Sequence, residues 1–258
     1  MIPKIIHFCW LSNDEFPPLI AKTMATWKEV LPDYEFVHWD TNKFDLESNT
    51  WVKQAFETKK YAFAADYIRL YAVYNYGGIY LDTDVEVLKS FNDLIERPYI
   101  AGAEIEGVIE AGVFGAEKHT PWVKQCLDYY DDKTFINPDG TFNTLTLPRI
   151  MMQQINQTYA VKELSPEQIT VNDQVQNKDT LYLFPKDYFC AKNHGTGQLE
   201  NTKNTYTIHH FAMSWVSKNH TFLPNLKRKL MAILGVGFIN NLIKVLGLKK
   251  IRQFMSKK

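Results

Sequence analysis

Residues 61–86 read YAFAADYIRLYAVYNYGGIYLDTDVE, and no other stretch of the chain constrains its fold as tightly. A helix-like segment carrying Asp66 and Arg69 runs into Gly77-Gly78, and a short apolar run then delivers Asp82-Thr83-Asp84. Glycine ends helices because it takes left-handed backbone angles without a Cβ penalty. Ile79, Tyr80 and Leu81 are strand formers, so the triplet is expected at the end of a strand leaving a core. On a strand, residues i and i+2 point the same way, which aims the carboxylates of Asp82 and Asp84 at one place. Two hard oxygen ligands so placed suit a divalent cation holding a diphosphate.

A lone Asp-x-Asp triplet is weak information, since most such triplets are solvated turns. The context strengthens it. Asp66 and Arg69 stand three apart and share a helix face. On a surface, that ion pair would contribute little. Here Phe63, Ala64, Ala65, Ile68 and Leu70 surround it, so the pair is expected to be buried, and buried charges need a purpose.

The chain has 258 residues, enough to bury a sizeable core as one large α/β domain. Apolar residues at 45% and aromatic residues at 14% exclude a disordered chain. Cys9, Cys126 and Cys190 are scattered without metal-ligand spacing and read as buried thiols in a reducing compartment. After Met1 the sequence passes straight into IPKIIHF, with no charged region followed by a long apolar run, so a cytoplasmic location is expected.

A net charge of zero conceals an asymmetry. Residues 1–200 hold 18 Lys and Arg with all 29 acids, a net −11, whereas residues 201–258 hold 11 bases and no acid. Such asymmetry points to a partner. In the tail, residues 224–258, the bases alternate with Leu, Ile, Phe and Met rather than with the aromatic platforms that single-stranded nucleic acid uses. Nucleic acid is therefore not expected; an anionic membrane surface is. The longest apolar run there, Leu230–Ile239, is too short to span a bilayer. The tail reads as amphipathic helix lying on the inner face of the membrane, although its apolar positions would equally suit a helix packed on the domain.

Along the chain, Lys4–Trp10 reads as a buried strand. Pro17-Pro18 opens a helix to about Leu31, with Leu19, Ile20, Met24 and Trp27 at helical spacing. Tyr34–Trp39 alternates like a strand, residues 50–76 give one or two helices, and Phe91–Ile95 a short helix. Strands are expected at Tyr99–Ala103, Gly112–Ala116, Leu181–Phe184 and Tyr206–Phe211, and helices near Pro121–Tyr130 and Leu147–Tyr159. Strands alternating with helices in the first half predict a layered α/β domain over residues 1–223.

Three blocks now carry a resemblance: IPKIIHFCW at 2–10, AADYIRLYAVYNYGGIYLDTD at 64–84 and IHHFAMSW at 208–215. Together they resemble the DXD-containing glycosyltransferases that include yeast initiating mannosyltransferases, bacterial capsular-polysaccharide transferases and the catalytic domains of clostridial glucosylating toxins. The middle block is the specific one. Leu11-Ser12-Asn13 departs from the family, which often has a glycine soon after the tryptophan.

The resemblance implies a GT-A-type, Rossmann-like fold with nucleotide bound at the carboxyl ends of the strands. It implies a retaining, Mn²⁺- or Mg²⁺-dependent transfer from a nucleotide-sugar, UDP favoured, to a glycan, in a capsular or surface setting a lipid-linked one. Asp84 would be the principal metal ligand, with Asp82 on the donor's ribose or sugar hydroxyls and near the metal. Asp66 and Arg69 would hold the donor sugar, both charged, and Trp10 would stack on the nucleobase, although a strand-ending Trp also suits a core. Adjacent histidines on a strand face opposite sides, so one of His209 and His210 reaches the metal, and the family pattern favours His209. Ser214 and Trp215 would close over the diphosphate. Glu110-Ala111-Gly112 would lie toward the acceptor, and His7 would pack beneath the first strand.

Two other classes share parts of the pattern. Aspartyl-phosphate phosphohydrolases also place Asp-x-Asp after an apolar strand, but Glu86 stands where they usually have Thr or Val. A nucleotide-sugar-binding protein without turnover would keep the same pocket. Metal-dependent hydrolysis of a nucleotide-sugar separates them from a transferase.

Overall fold

A computed structural model describes residues 1–105, 107–171, 178–193 and 196–212. Its elements, in chain order, are β1 (Ile5–Cys9), α1 (Pro18–Val30), β2 (Glu35–Trp39), α2 (Thr50–Glu57), α3 (Tyr61–Tyr76), β3 (Gly78–Leu81), β4 (Val85–Val87), β5 (Tyr99–Ile105) and β6 (Val108–Ala116). There follow α4 (Pro121–Asp128), α5 (Leu147–Ile155), β7 (Ala160–Glu163), α6 (Pro166–Val171), β8 (Thr180–Leu183), α7 (Lys186–Phe189) and β9 (Thr207–His209). Met1–Ala191 and, among the described residues, 201–212 form one compact unit. Lys192–Glu200 belong to a second, where Lys192 and Leu199 form an antiparallel bridge. The tail from residue 213 onward, with Ser214 and Trp215, lies outside the described residues.

The architecture is mixed α/β around a five-stranded sheet in the order β2-β1-β3-β6-β5. β1 runs parallel to β2 and β3, whereas β6 is antiparallel to both β3 and β5. Side chains alternate between two covered faces, as the pleat requires. Ile79 and Leu81 of β3 enter a core with Trp27 of α1, and Tyr80 enters the opposite core with Trp51, Phe114 and Trp122.

Helix α3 is buried along both polar and apolar positions, including Ala64, Ala65, Asp66, Ile68, Arg69 and Leu70. Its alanines let it lie close to its neighbours, and it stops at Gly77, whose φ is 67°. Gly78 follows at φ 102°, where a Cβ would come within 2.7 Å of the Ile5 carbonyl oxygen. Both positions thus require glycine, for backbone angle and for close approach to β1. His7 fixes the same junction. The Trp39 indole N–H donates to His7 Nδ1 at 3.1 Å, which leaves Nε2–H to donate to the Gly77 carbonyl at 2.8 Å.

Several expectations shift. Helix α1 buries Ile20, Thr23 and Trp27, while Leu19 is exposed, because the buried stripe follows the polar Thr23. Residues 91–95 make one uncontinued turn, in which the amides of Leu94 and Ile95 both bond to the Phe91 carbonyl. Strands β4 and β7 and helices α6 and α7 are too short to leave a periodic signature. All three cysteines are buried and reduced, and Cys9 has its thiol pushed up to about 12 by burial.

Candidate metal and donor site

Asp82-Thr83-Asp84 does not lie on a strand. β3 ends at Leu81, and the triplet forms a turn in which the Val85 amide donates to the Asp82 carbonyl at 3.0 Å. The carboxylates converge because the chain reverses there, and Asp is favoured in such turns. The turn is held from outside by α1: the Thr23 hydroxyl donates to the Thr83 carbonyl at 2.6 Å, and the Trp27 indole to the Val85 carbonyl at 2.7 Å. On the other side the Asp82 amide donates to the Gly112 carbonyl at 2.8 Å.

Beyond the turn, β4 pairs antiparallel with β9, placing His209 opposite Val85 and therefore beside Asp84. One ligand atom each from Asp82, Asp84 and His209 lies within 4.8 Å of the others. His209 Nε2 is 3.4 Å from Asp84 Oδ1 and 3.9 Å from Asp82 Oδ2. His209 Nδ1 faces the other way, 3.1 Å from Glu110 Oε1. His210 turns to Glu86, with Nε2 at 2.8 Å from Oε2. Two carboxylates and one imidazole form a hard donor set suited to a divalent cation such as Mn²⁺ or Mg²⁺.

The electrostatics agree with such a site. Burial pushes the Asp84 carboxyl up, but the His209 imidazole and the Ala212 amide, bonded at 2.7 Å, outweigh it and hold the group below the usual carboxylate range. Burial likewise lowers His209, yet Glu110 and Asp84 prevail and raise it well above an ordinary histidine. In this state a protonated imidazole supplies positive charge among the carboxylates.

Arg69 stands behind the turn. Its guanidinium bonds Asp66 Oδ1 at 3.2 Å, Asp82 Oδ1 at 3.2 Å and the Ala111 carbonyl at 2.9 Å, and it lies over the Tyr80 ring at 4.6 Å. Tyr80 donates its hydroxyl to Asp82 Oδ1 at 2.8 Å. Arg69 is therefore satisfied by the protein itself rather than by a ligand. Asp66 differs too. Burial, opposed by Arg69 and aided by the charge on Asp82, pushes its carboxyl up to about 7, so it is no fixed charge at neutral pH.

Trp10 ends β1 on the carboxyl side, half-buried, with its indole N–H on the Asp14 carbonyl at 2.9 Å and its ring 5.0 Å from that of Phe16. Glu110 is buried against His209, Ala111 against Arg69 and Gly112 against Asp82, so this β6 segment backs the cluster. Sequence reasoning missed Glu104 of β5. Burial first, then the charge on Glu110, pushes its carboxyl up to about 7. The signal was an acid near the end of an apolar strand, and only the pairing of β5 with β6 brings it within the influence of Glu110.

Residues 17–101 match the family described as glycosyltransferase sugar-binding region containing DXD motif. Among relatives, the inositol phosphoceramide mannosyltransferase 3 of Schizosaccharomyces pombe is 31% identical over 128 residues, 48% of this chain and 36% of that protein. A mannosyl phosphorylinositol ceramide synthase of Saccharomyces cerevisiae is 24% identical over 246 residues, 93% of this chain and 59% of that protein. The chain thus spans less than two thirds of either relative. Among solved structures, the PaToxG glycosyltransferase aligns with a TM-score of 0.47 at 20% identity, over 60% of this chain and 69% of that one.

Proposed function

We propose that the chain, a member of the glycosyltransferase family whose sugar-binding region contains a DXD motif, moves a hexosyl group from a nucleotide-sugar to a hydroxyl acceptor. The observation that carries this reading is the convergence of Asp82, Asp84 and His209 at the carboxyl ends of β1 and β3, with the Asp66–Arg69 pair directly behind. We read the mixed sheet as GT-A-type and Rossmann-like, with the donor seated where its parallel strands end.

Asp84 and His209 would hold a divalent ion, Mn²⁺ or Mg²⁺, with Asp82 shared between that ion and the donor's hydroxyls. Such an ion stabilises negative charge building on a departing nucleoside diphosphate. Asp66, near-neutral and tied to Arg69, is suited to hydrogen-bond the sugar as donor or acceptor. Trp10 offers an aromatic face to the nucleobase, and Ser214 with Trp215 would close over the diphosphate and exclude water. We assign retention of configuration, as the family resemblance implies, and, with no side chain assigned as an enzymic nucleophile, a front-face transfer in which the leaving phosphate takes the acceptor's proton.

The relatives' names favour a mannosyl group and an inositol-bearing lipid acceptor. A lipid-linked acceptor fits the basic tail, residues 224–258, which we place at an anionic membrane surface on the cytoplasmic side. No helix among the described residues is long and apolar enough to cross a membrane. Truncation after Leu223 should abolish salt-sensitive co-sedimentation with anionic liposomes while donor hydrolysis persists; binding that survives truncation removes the tail from this role.

The decisive assay is slow hydrolysis of UDP- and GDP-linked glucose and mannose with Mn²⁺. One donor should be hydrolysed in a metal-dependent way, and UDP is the favoured base. Binding without hydrolysis would leave a nucleotide-sugar-binding protein, and attack on simple phosphate esters a phosphohydrolase.

A further inference from the structure

Glu110 lies on β6 at 2% exposure, a carboxylate enclosed by protein. Burying such a charge is costly unless it is paired and hydrogen-bonded. Its Oε1 accepts the Gly112 amide at 2.6 Å and faces His209 Nδ1 at 3.1 Å. The space around this pair is closed. A Cβ at Gly112 would lie 2.8 Å from Glu110 Oε1, 2.9 Å from His209 Cε1 and 3.0 Å from Asp82 Oδ2. The imidazole is thus crowded at Cε1 by the bare backbone of Gly112 and stacked on the Phe211 ring, whose centroid is 4.1 Å away.

An imidazole facing a carboxylate through Nδ1 keeps its hydrogen there, and its other nitrogen is left to ligate. We propose that Glu110 is a positioning residue for the metal site: by accepting Nδ1–H it fixes His209 in the tautomer and ring orientation that present Nε2 toward Asp84 and Asp82. This rests on the reading of Asp82, Asp84 and His209 as metal ligands. The neighbouring residue supplies an internal contrast. His210 also pairs with a carboxylate, but through Nε2 and to Glu86, away from the cluster. Two adjacent histidines thus have carboxylate partners on opposite ring nitrogens, and only one partnership leaves Nε2 for a metal.

The test measures Mn²⁺ affinity of the full chain by the electron paramagnetic resonance signal of free Mn²⁺, for wild type, Glu110→Gln and Glu86→Gln. Glu110→Gln keeps the shape and should weaken binding by about 10- to 100-fold, the usual loss for an outer partner of a ligating histidine. Glu86→Gln should bind as wild type does. Equal affinities for wild type and Glu110→Gln would overturn the assignment of Glu110 alone, and equal losses in both variants would reduce it to a bulk-charge effect. A wild type that binds no Mn²⁺ would overturn the metal-site reading and this inference with it. A second readout needs no variant. With Mg²⁺, ¹⁵N spectra of the His209 ring should show a protonated Nδ1 and an unprotonated Nε2; the opposite tautomer would overturn the proposal even if Glu110→Gln failed to fold.

Discussion

His209 Nε2 lies 3.4 Å from Asp84 Oδ1, brought there by the pairing of β9 with β4. Burial disfavours charge on this imidazole, but Glu110 and Asp84 raise its proton affinity well above an ordinary histidine. That proton and a metal ion compete for one nitrogen. Mn²⁺ binding near neutral pH should therefore release a proton, and affinity should fall as pH falls. Calorimetry in two buffers of different ionisation enthalpy reads the release directly; binding with no proton release at neutral pH would remove His209 from the ligand set.

The same pair contributes to the pH dependence of the metal-free protein's stability. A raised histidine contributes stability that is fully present below about 6.5 and is lost as pH rises through its folded value. A depressed carboxyl such as Asp84 contributes above about 4, lost as pH falls toward its folded value. The pair should thus favour mildly acidic pH in the absence of metal, and Mn²⁺ should shift the optimum upward. Thermal unfolding against pH, with Mn²⁺ and with a chelator, checks the direction of that shift.

Asp84→Asn preserves shape, and its side-chain oxygen still accepts the Ala212 amide. The variant removes one charge from the cluster, so donor turnover should fall by at least ~10²-fold, on the scale of losing one preorganised electrostatic contact. Near-normal turnover in a folded Asn variant would move the metal elsewhere.

The site's composition was legible where local chemistry wrote it into one segment. Gly77-Gly78, the apolar run and the carboxylate pair stand in order, and the structure keeps that order. The reason given for convergence was nevertheless wrong, because a turn, not a strand, brings Asp82 and Asp84 together. The supports were invisible for another reason: Thr23, Trp27, Glu110 and Gly112 act from α1 and β6 through long-range pairing that carries no local period. The mixed sheet was similarly hidden, since strand direction is set by connections rather than by the strands' own residues.

Asp66 is the residue at which sugar binding and scaffold separate. Its carboxyl is pushed up to about 7 by burial, and Asp66→Asn keeps its shape while removing the charge. Transfer should drop while nucleoside diphosphate affinity holds. Arg69→Ala, in contrast, strips Asp66 and Asp82 of their shared counter-charge and should destabilise by about 3–5 kcal/mol, as broken buried pairs do. Denaturant unfolding and diphosphate titration together decide the matter: loss of diphosphate affinity in a stable Asp66→Asn protein would place this residue on the nucleotide.

Gly112→Ala tests the packing of the whole cluster with one methyl group. Gly112 has an ordinary backbone angle, so the substitution adds no left-handed strain, only volume. That volume falls within 3.0 Å of Glu110, His209 and Asp82 at once, and none is the far end of a loose chain. His209 is held by Glu110, Asp82 by Arg69 and Tyr80, and Glu110 by the amide of residue 112 itself. At least one of these bonds must open, at a cost of about 1–3 kcal/mol typical of overpacking. Mn²⁺ affinity should fall along with thermal stability, since the displaced groups include two of the three candidate ligands. A variant that loses stability but keeps wild-type Mn²⁺ affinity would show that the three ligands are placed independently of this crowding.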